Sequence, residues 1–202
     1  MKLLCIADTV EDCLYDRFDQ RRFSDVDLVL SCGDLPPEYL SFLVSATGGP
    51  LYYVRGNHDI RYDAKPPLGA MDLHGRIVDH QGIRILGLEG SRWYNGGPYQ
   101  YSDGQMRAMI RKLWPRLWFR KPVDIIFTHA PPRGVNDRED LCHRGFRSFS
   151  RLIEQLHPRY FIHGHIHGPF DSLEARTTLV DATQVINAYG HVLLEIDAQK
   201  TR

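Results

Sequence analysis

The chain has 202 residues, 43% apolar and 11% aromatic, enough to fill the core of one domain and too apolar for a disordered segment. Twenty-five Lys and Arg balance 25 Asp and Glu, and this zero net charge argues against a wholly basic nucleic-acid coat protein and against an acidic tail. No apolar run approaches the ~20 residues of a membrane span, Asp8 cuts short any leader-like start, and the four cysteines lack the close-paired spacing of a disulfide framework or zinc knuckle. A cytoplasmic location and a single domain over residues 1–202 are therefore expected.

Short apolar runs bounded by polar or turn residues read as buried strands. In chain order they are Lys2–Ala7, ending at Asp8; Asp27–Ser31, ending at Cys32-Gly33-Asp34; and Leu51–Val54, ending at Arg55-Gly56-Asn57-His58-Asp59. Asp124–Thr128 ends at His129, and Tyr160–Ile162 leads into His163-Gly164-His165-Ile166-His167. Three stretches read as helices. Pro36–Thr47 opens on a proline pair and sets Leu40, Leu43 and Val44 on one face. Ser102–Trp114 begins with a Ser102/Gln105 capping box, carries Met106, Met109, Ile110, Leu113 and Trp114 as a stripe, and should end or kink at Pro115. Phe146–Leu156 repeats the helical spacing. A hairpin is expected around His80-Gln81-Gly82, and three further strand-like runs between Thr177 and Ile196. Early helix–strand alternation and a strand-rich end predict a mixed α/β domain with layered sheets.

Chemistry collects at the strand ends. Asp8, Asp34, Asn57 with His58, His129, and His165 with His167 each follow a predicted strand, where α/β folds assemble ligand sites. Carboxylate, amide and imidazole together suit Mn²⁺, Fe or Zn²⁺ better than Ca²⁺ or Mg²⁺. In His165-Ile166-His167 a two-residue step of extended chain would put both rings on one face.

The ordered set Asp8, Gly33-Asp34, Gly56-Asn57-His58-Asp59, Thr128-His129 and Gly164-His165-Ile166-His167 resembles the calcineurin-like metallophosphoesterases. The resemblance implies a four-layer αββα sandwich with mixed sheets and a site for two divalent or transition-metal ions, manganese first, iron or zinc next. It implies that Asp34 bridges both ions, that Asp8 and His167 hold the first, and that Asn57, His129 and His165 hold the second. His58 would then face the substrate phosphate and protonate the leaving oxygen, with Asp59 orienting its ring. The implied activity is hydrolysis of a phosphodiester or phosphomonoester by a hydroxide bridged between two metals. Small Gly33, Gly56 and Gly164 would let the backbone turn beside the ions.

The family's first motif is usually Asp-x-His, and here it reads Asp8-Thr9-Val10. Valine binds no metal. Glu11, Asp12 or Asp16 could supply the missing ligand; so could Tyr39, because the purple acid phosphatases of this superfamily use a tyrosine shortly after their Gly-Asp motif; or water completes a weaker site. Retention of His167 favours a working first site with altered ligation. His163 reads as support for the ligands, and His74, His80, His157 and His191 as ordinary surface or core residues.

Two loops are candidates for substrate contact. Ser91–Tyr101 offers Trp93, Tyr94 and Tyr99 for stacking, and Pro131–Phe146 offers Arg133, Arg138, His143 and Arg144 to phosphate oxygens. The basic, aromatic stretch Arg107–Lys121 reads first as the solvated face of an amphipathic helix and second as a nucleic-acid surface. The expected partner is a small phosphate ester; nucleic acid is not favoured and a membrane is not expected. The alternatives are a nuclease and a non-catalytic binding module, since a retromer subunit of this superfamily uses the fold as a scaffold. No oligomeric state follows from these residues.

Overall fold

The structure, a computed structural model, describes residues 1–118 and 122–197. In chain order the strands are β1 (Lys2–Ala7), β2 (Leu28–Ser31), β3 (Leu51–Tyr53), β4 (Met71–Asp72), β5 (Arg76–His80), β6 (Ile83–Leu88), β7 (Ser91–Arg92), β8 (Gln100–Tyr101), β9 (Ile125–Thr128), β10 (Tyr160–His163), β11 (Thr177–Val180), β12 (Thr183–Asn187) and β13 (Gly190–Glu195). The α-helices are α1 (Gln20–Phe23), α2 (Pro37–Thr47), α3 (Asp103–Trp118) and α4 (Arg147–Leu156). One sheet runs β13-β1-β2-β3-β4 and a second β11-β12-β10-β9-β6-β5. Only the outer pairings β1 with β13, β5 with β6 and β11 with β12 are antiparallel within these two sheets.

Side-chain alternation explains the layering. Leu3, Cys5 and Ala7 of β1 and Leu28 and Leu30 of β2 face Ile125, Phe127, Ile162 and Ile186 of the other sheet. The intervening Leu4, Ile6 and Val29 pack on Tyr39, Leu40 and Leu43 of α2. On the far side Ile126, Phe161 and Val185 pack on Ile110 and Leu113 of α3 and Phe149, Leu152 and Ile153 of α4. Strands buried on both faces have near-continuous apolar sequences, as parallel sheets require. Each fully buried Leu, Ile or Phe contributes about 1.5–3 kcal/mol by leaving water. The result is the αββα sandwich expected from the sequence.

The helix and hairpin expectations hold with local corrections. Pro36 and Phe146 are caps rather than first helical residues. Gln81 and Gly82 both take positive φ between β5 and β6, the turn that matches strand twist. The capping box is formed: the Gln105 side chain accepts from the Ser102 amide at 2.8 Å, and the Ser102 hydroxyl accepts from the Gln105 amide at 3.2 Å. Pro115 does not end α3, which runs on to Trp118. Leu117 is buried in the same core as Leu113 and holds the turn that contains Pro115, which is itself exposed. Arg107, Arg111, Lys112 and Arg116 lie exposed, opposite the apolar stripe, as the solvated-face reading expects; residues 119–121 of that stretch lie outside the described residues.

Candidate metal centre

Parallel β1, β2 and β3 deliver Asp8, Asp34 and Asn57 from one sheet, and parallel β9 and β10 deliver His129 and His165 from the other. The sheets meet at these ends. Nδ1 of His129 donates to the Cys32 carbonyl at 2.8 Å, and the backbone amide of His165 donates to Oδ2 of Asp8 at 2.9 Å. Both contacts join segments distant in the chain.

The second-ion residues converge. Ligand atoms of Asp34, His129 and His165 all lie within 4.8 Å of one another. Nε2 of His129 is 3.3 Å from Oδ2 of Asp34 and 3.1 Å from Oδ1 of Asn57. The Cys32 carbonyl holds the remote nitrogen of His129, so Nε2 is the edge turned to the site. His165 is held in the opposite sense: Nε2 donates to the Cys142 carbonyl at 2.8 Å, which leaves Nδ1 for a ligand. Anchoring one ring nitrogen on a carbonyl is how proteins orient metal-binding histidines. Gly56 makes the close approach feasible, because a Cβ there would overlap the Asp34 carboxylate and the His129 ring.

Asp8 and His167 stand beside this cluster. Oδ1 of Asp8 is buried without a hydrogen bond, and Nε2 of His167 lies 3.5 Å from it. Asp8 raises the pKa of His167, so a protonated imidazole can offset this carboxylate where a metal cation otherwise would. None of the expected substitutes for a ligand at Val10 faces this pair. Glu11 turns to Gly190 and His191, Asp12 pairs with Arg17 at 2.7 Å, Asp16 is exposed, and Tyr39 is packed in the α2 core beside Tyr15. Asp8 and His167 are thus the members of the expected first-ion set that the structure brings side by side.

The charges respond to this crowding. Burial works against ionised Asp34, but His129 and the His58 amide hold its pKa down at about 2. Burial likewise opposes protonated His129, yet Asp34 and Asp8 raise it to about 9. A proton on His129 therefore sits where a cation would place its own charge, and binding would release it. His165, with no such partner as close, is held neutral by burial, its pKa near 3. An orphaned carboxylate oxygen, two anchored imidazoles and an amide oxygen form a donor set that fits borderline divalent metals.

His58 and Asp59 require a division of roles. The His58 amide donates to Oδ1 of Asp34 at 2.8 Å, and its side chain is exposed beside Asp34, Pro36 and Arg61 in a recess of about 200 Å³. Asp59 does not orient that ring. Its carboxylate is buried and accepts the amides of Asp34 and Gly56, both at 2.7 Å, and of Leu35 at 3.1 Å. It ties the two metal-binding loops together. Burial, then the charge of Asp34, raises its pKa to about 6.

The substrate loops are likewise corrected. Arg133 is spent on Asp137 and Glu139, and Arg144 on the Glu139 carbonyl, so both brace their own loop. His143 is fixed by Asp140 at 2.9 Å and packs on His165, with ring centroids 5.3 Å apart. Tyr94 accepts from Nδ2 of Asn57 at 3.3 Å, and Arg138 donates to the His167 carbonyl at 2.6 Å. Trp93 is exposed, while Tyr99 donates to Asp63. His163 is buried, and its Nε2 faces the Asn136 amide at 3.3 Å. The anchoring carbonyls of Cys32 and Cys142 escape a reading of the sequence, because main-chain acceptors leave no mark in residue type.

The chain resembles proteins of known grouping. It is 26% identical to the UPF0046 protein K07C11.7 of Caenorhabditis elegans, over 91% of this chain and 70% of that protein. It is 26% identical to the lariat debranching enzyme of Schizosaccharomyces pombe over 60% of this chain, but spans only 34% of that enzyme. The crystal structure of TT1561 from Thermus thermophilus superposes with a TM-score of 0.63 at 17% identity, covering 94% of this chain and 89% of the other. The calcineurin-like phosphoesterase family model matches residues 1–169, the span that holds Asp8, Asp34, Asn57, His58, His129, His165 and His167, and the chain belongs to that family.

Proposed function

We propose that this protein hydrolyses a small phosphodiester or phosphomonoester with the help of divalent cations, manganese foremost. The observation that carries the reading is the meeting of Asp34, Asn57, His129 and His165 beside exposed His58 at the junction of the two sheets. Asp34, Asn57, His129 and His165 would hold one ion, and Asp8, His167 and the shared Asp34 a second. Cations bound there would acidify a water molecule and neutralise phosphoryl charge.

The chain's own groups supply the rest. Asp34 has one oxygen toward the His58 amide and the other toward His129, so its carboxylate spans the site. The exposed His58 ring lines the recess and would donate a proton to the departing oxygen. Tyr94 steadies Asn57, and Arg138 steadies the turn at His167. The recess is open and small, which favours a compact ester. Retention of an exposed histidine whose ring makes no hydrogen bond among the described residues supports catalysis over a purely scaffolding role.

The test is hydrolysis of bis(p-nitrophenyl) phosphate and of p-nitrophenyl phosphate. Activity is expected to vanish with chelator and to return with Mn²⁺. Hydrolysis indifferent to both treatments, or absent with every divalent metal, would overturn the reading.

A further inference from the structure

A second group of metal-ligating side chains lies outside the centre just described. Glu11 and Cys13 come from the turn after β1, and His191 comes from β13. One ligand atom from each lies within 4.8 Å of the other two, and Nδ1 of His191 is 3.9 Å from an oxygen of Glu11. Ligands on a single tetrahedral zinc, with bonds of about 2.0–2.3 Å, sit roughly 3.3–3.8 Å apart. All three residues are partly exposed, so a small inward turn of Glu11 or Cys13 would close the set.

One feature shows that the surroundings suit such a set. Gly190, at φ +71°, leaves room that a side chain would remove: a Cβ there would sit 2.5 Å from Oε1 of Glu11.

We propose that Glu11, Cys13 and His191 form a second cation site, separate from the Asp34 centre, which takes a borderline-soft ion of the zinc class and ties the turn after Asp8 to β13. Thiolate, imidazole and carboxylate are zinc-type donors, and the sulfur disfavours Mg²⁺ and Mn²⁺. Three protein groups leave a fourth position to water. His191 is already neutral, because burial, then Arg22 and Arg176, press its pKa to about 4. Its Nε2 accepts from Arg22 at 3.3 Å, which turns the Nδ1 edge to Glu11. On binding, the Cys13 thiol gives its proton to solvent. The Nδ1 proton passes to Nε2 while exposed Arg22 swings away, so one proton is released in all.

Cobalt(II) titration of the full-length protein tests this, because a thiolate ligand adds a near-ultraviolet charge-transfer band that oxygen and nitrogen ligands do not. The expected result is a saturable band, displaced by Zn²⁺, abolished in Cys13→Ser and weakened in His191→Gln, but kept in Asp34→Asn. Circular dichroism and melting of the metal-free variants check that they fold. No thiolate band at saturating cobalt, a band that survives Cys13→Ser, or one lost in Asp34→Asn would overturn the proposal.

Discussion

At the scale of single residues, the centre separates groups that bind from groups that brace. His58 touches the site through its exposed ring and uses only its amide structurally. His58→Ala is expected to lower kcat by roughly two to four orders of magnitude with metal content unchanged. Asp34→Asn should lower both metal content and activity, since the carboxylate is shared; metal analysis beside steady-state kinetics checks the pair. Glu89 offers a pH test away from the ligands. It is buried, bonded by the Tyr101 hydroxyl at 2.6 Å and faced by His74. Burial, only partly offset by His74 and Tyr101, raises its pKa above the ordinary 4.5. The folded state therefore binds this proton more tightly than the unfolded chain, and the contribution to stability falls as pH rises from 4.5 through the folded value. Glu89→Gln should remove that downward slope, as read by denaturant midpoints at several pH values.

At the scale of elements, what the sequence shows depends on whether a side chain or the main chain carries the message. Asp34, His129 and His165 are legible because ligand-type side chains follow apolar strands. The bracing role of Asp59 is not, because its partners are three amides, which no residue pattern displays. Arg133 and Arg144 look free in the sequence, yet their acceptors, at Asp137 and Glu139, lie in the same loop and consume them. Glu11 and His191 stand at opposite ends of the chain and meet only through the pairing of β1 with β13. Helix α3 shows packing overriding a local breaker: Leu117 keeps the final turn despite Pro115. Restoring the missing amide with Pro115→Ala should stabilise the protein by about 1–3 kcal/mol, seen as a higher Tm. An unchanged or lower Tm would mean that the helix is built around the proline.

At the scale of the whole molecule, two sheets pack so that their parallel strands end together, and Asp34, Asn57, His129 and His165 converge at that edge, within the span that the family model matches. Among the described residues no helix is long and apolar enough to cross a membrane. On the proposed assignment, the departure at Val10 would leave the first ion with Asp8, His167 and a shared Asp34, while the second would keep a full set of protein ligands. Anomalous diffraction from crystals soaked in Mn²⁺ tests this arrangement most directly. The predicted result is a strong peak among Asp34, Asn57, His129 and His165 and a weaker one between Asp8 and His167, both in contact with Asp34. Manganese bound elsewhere, with neither position filled, would contradict it.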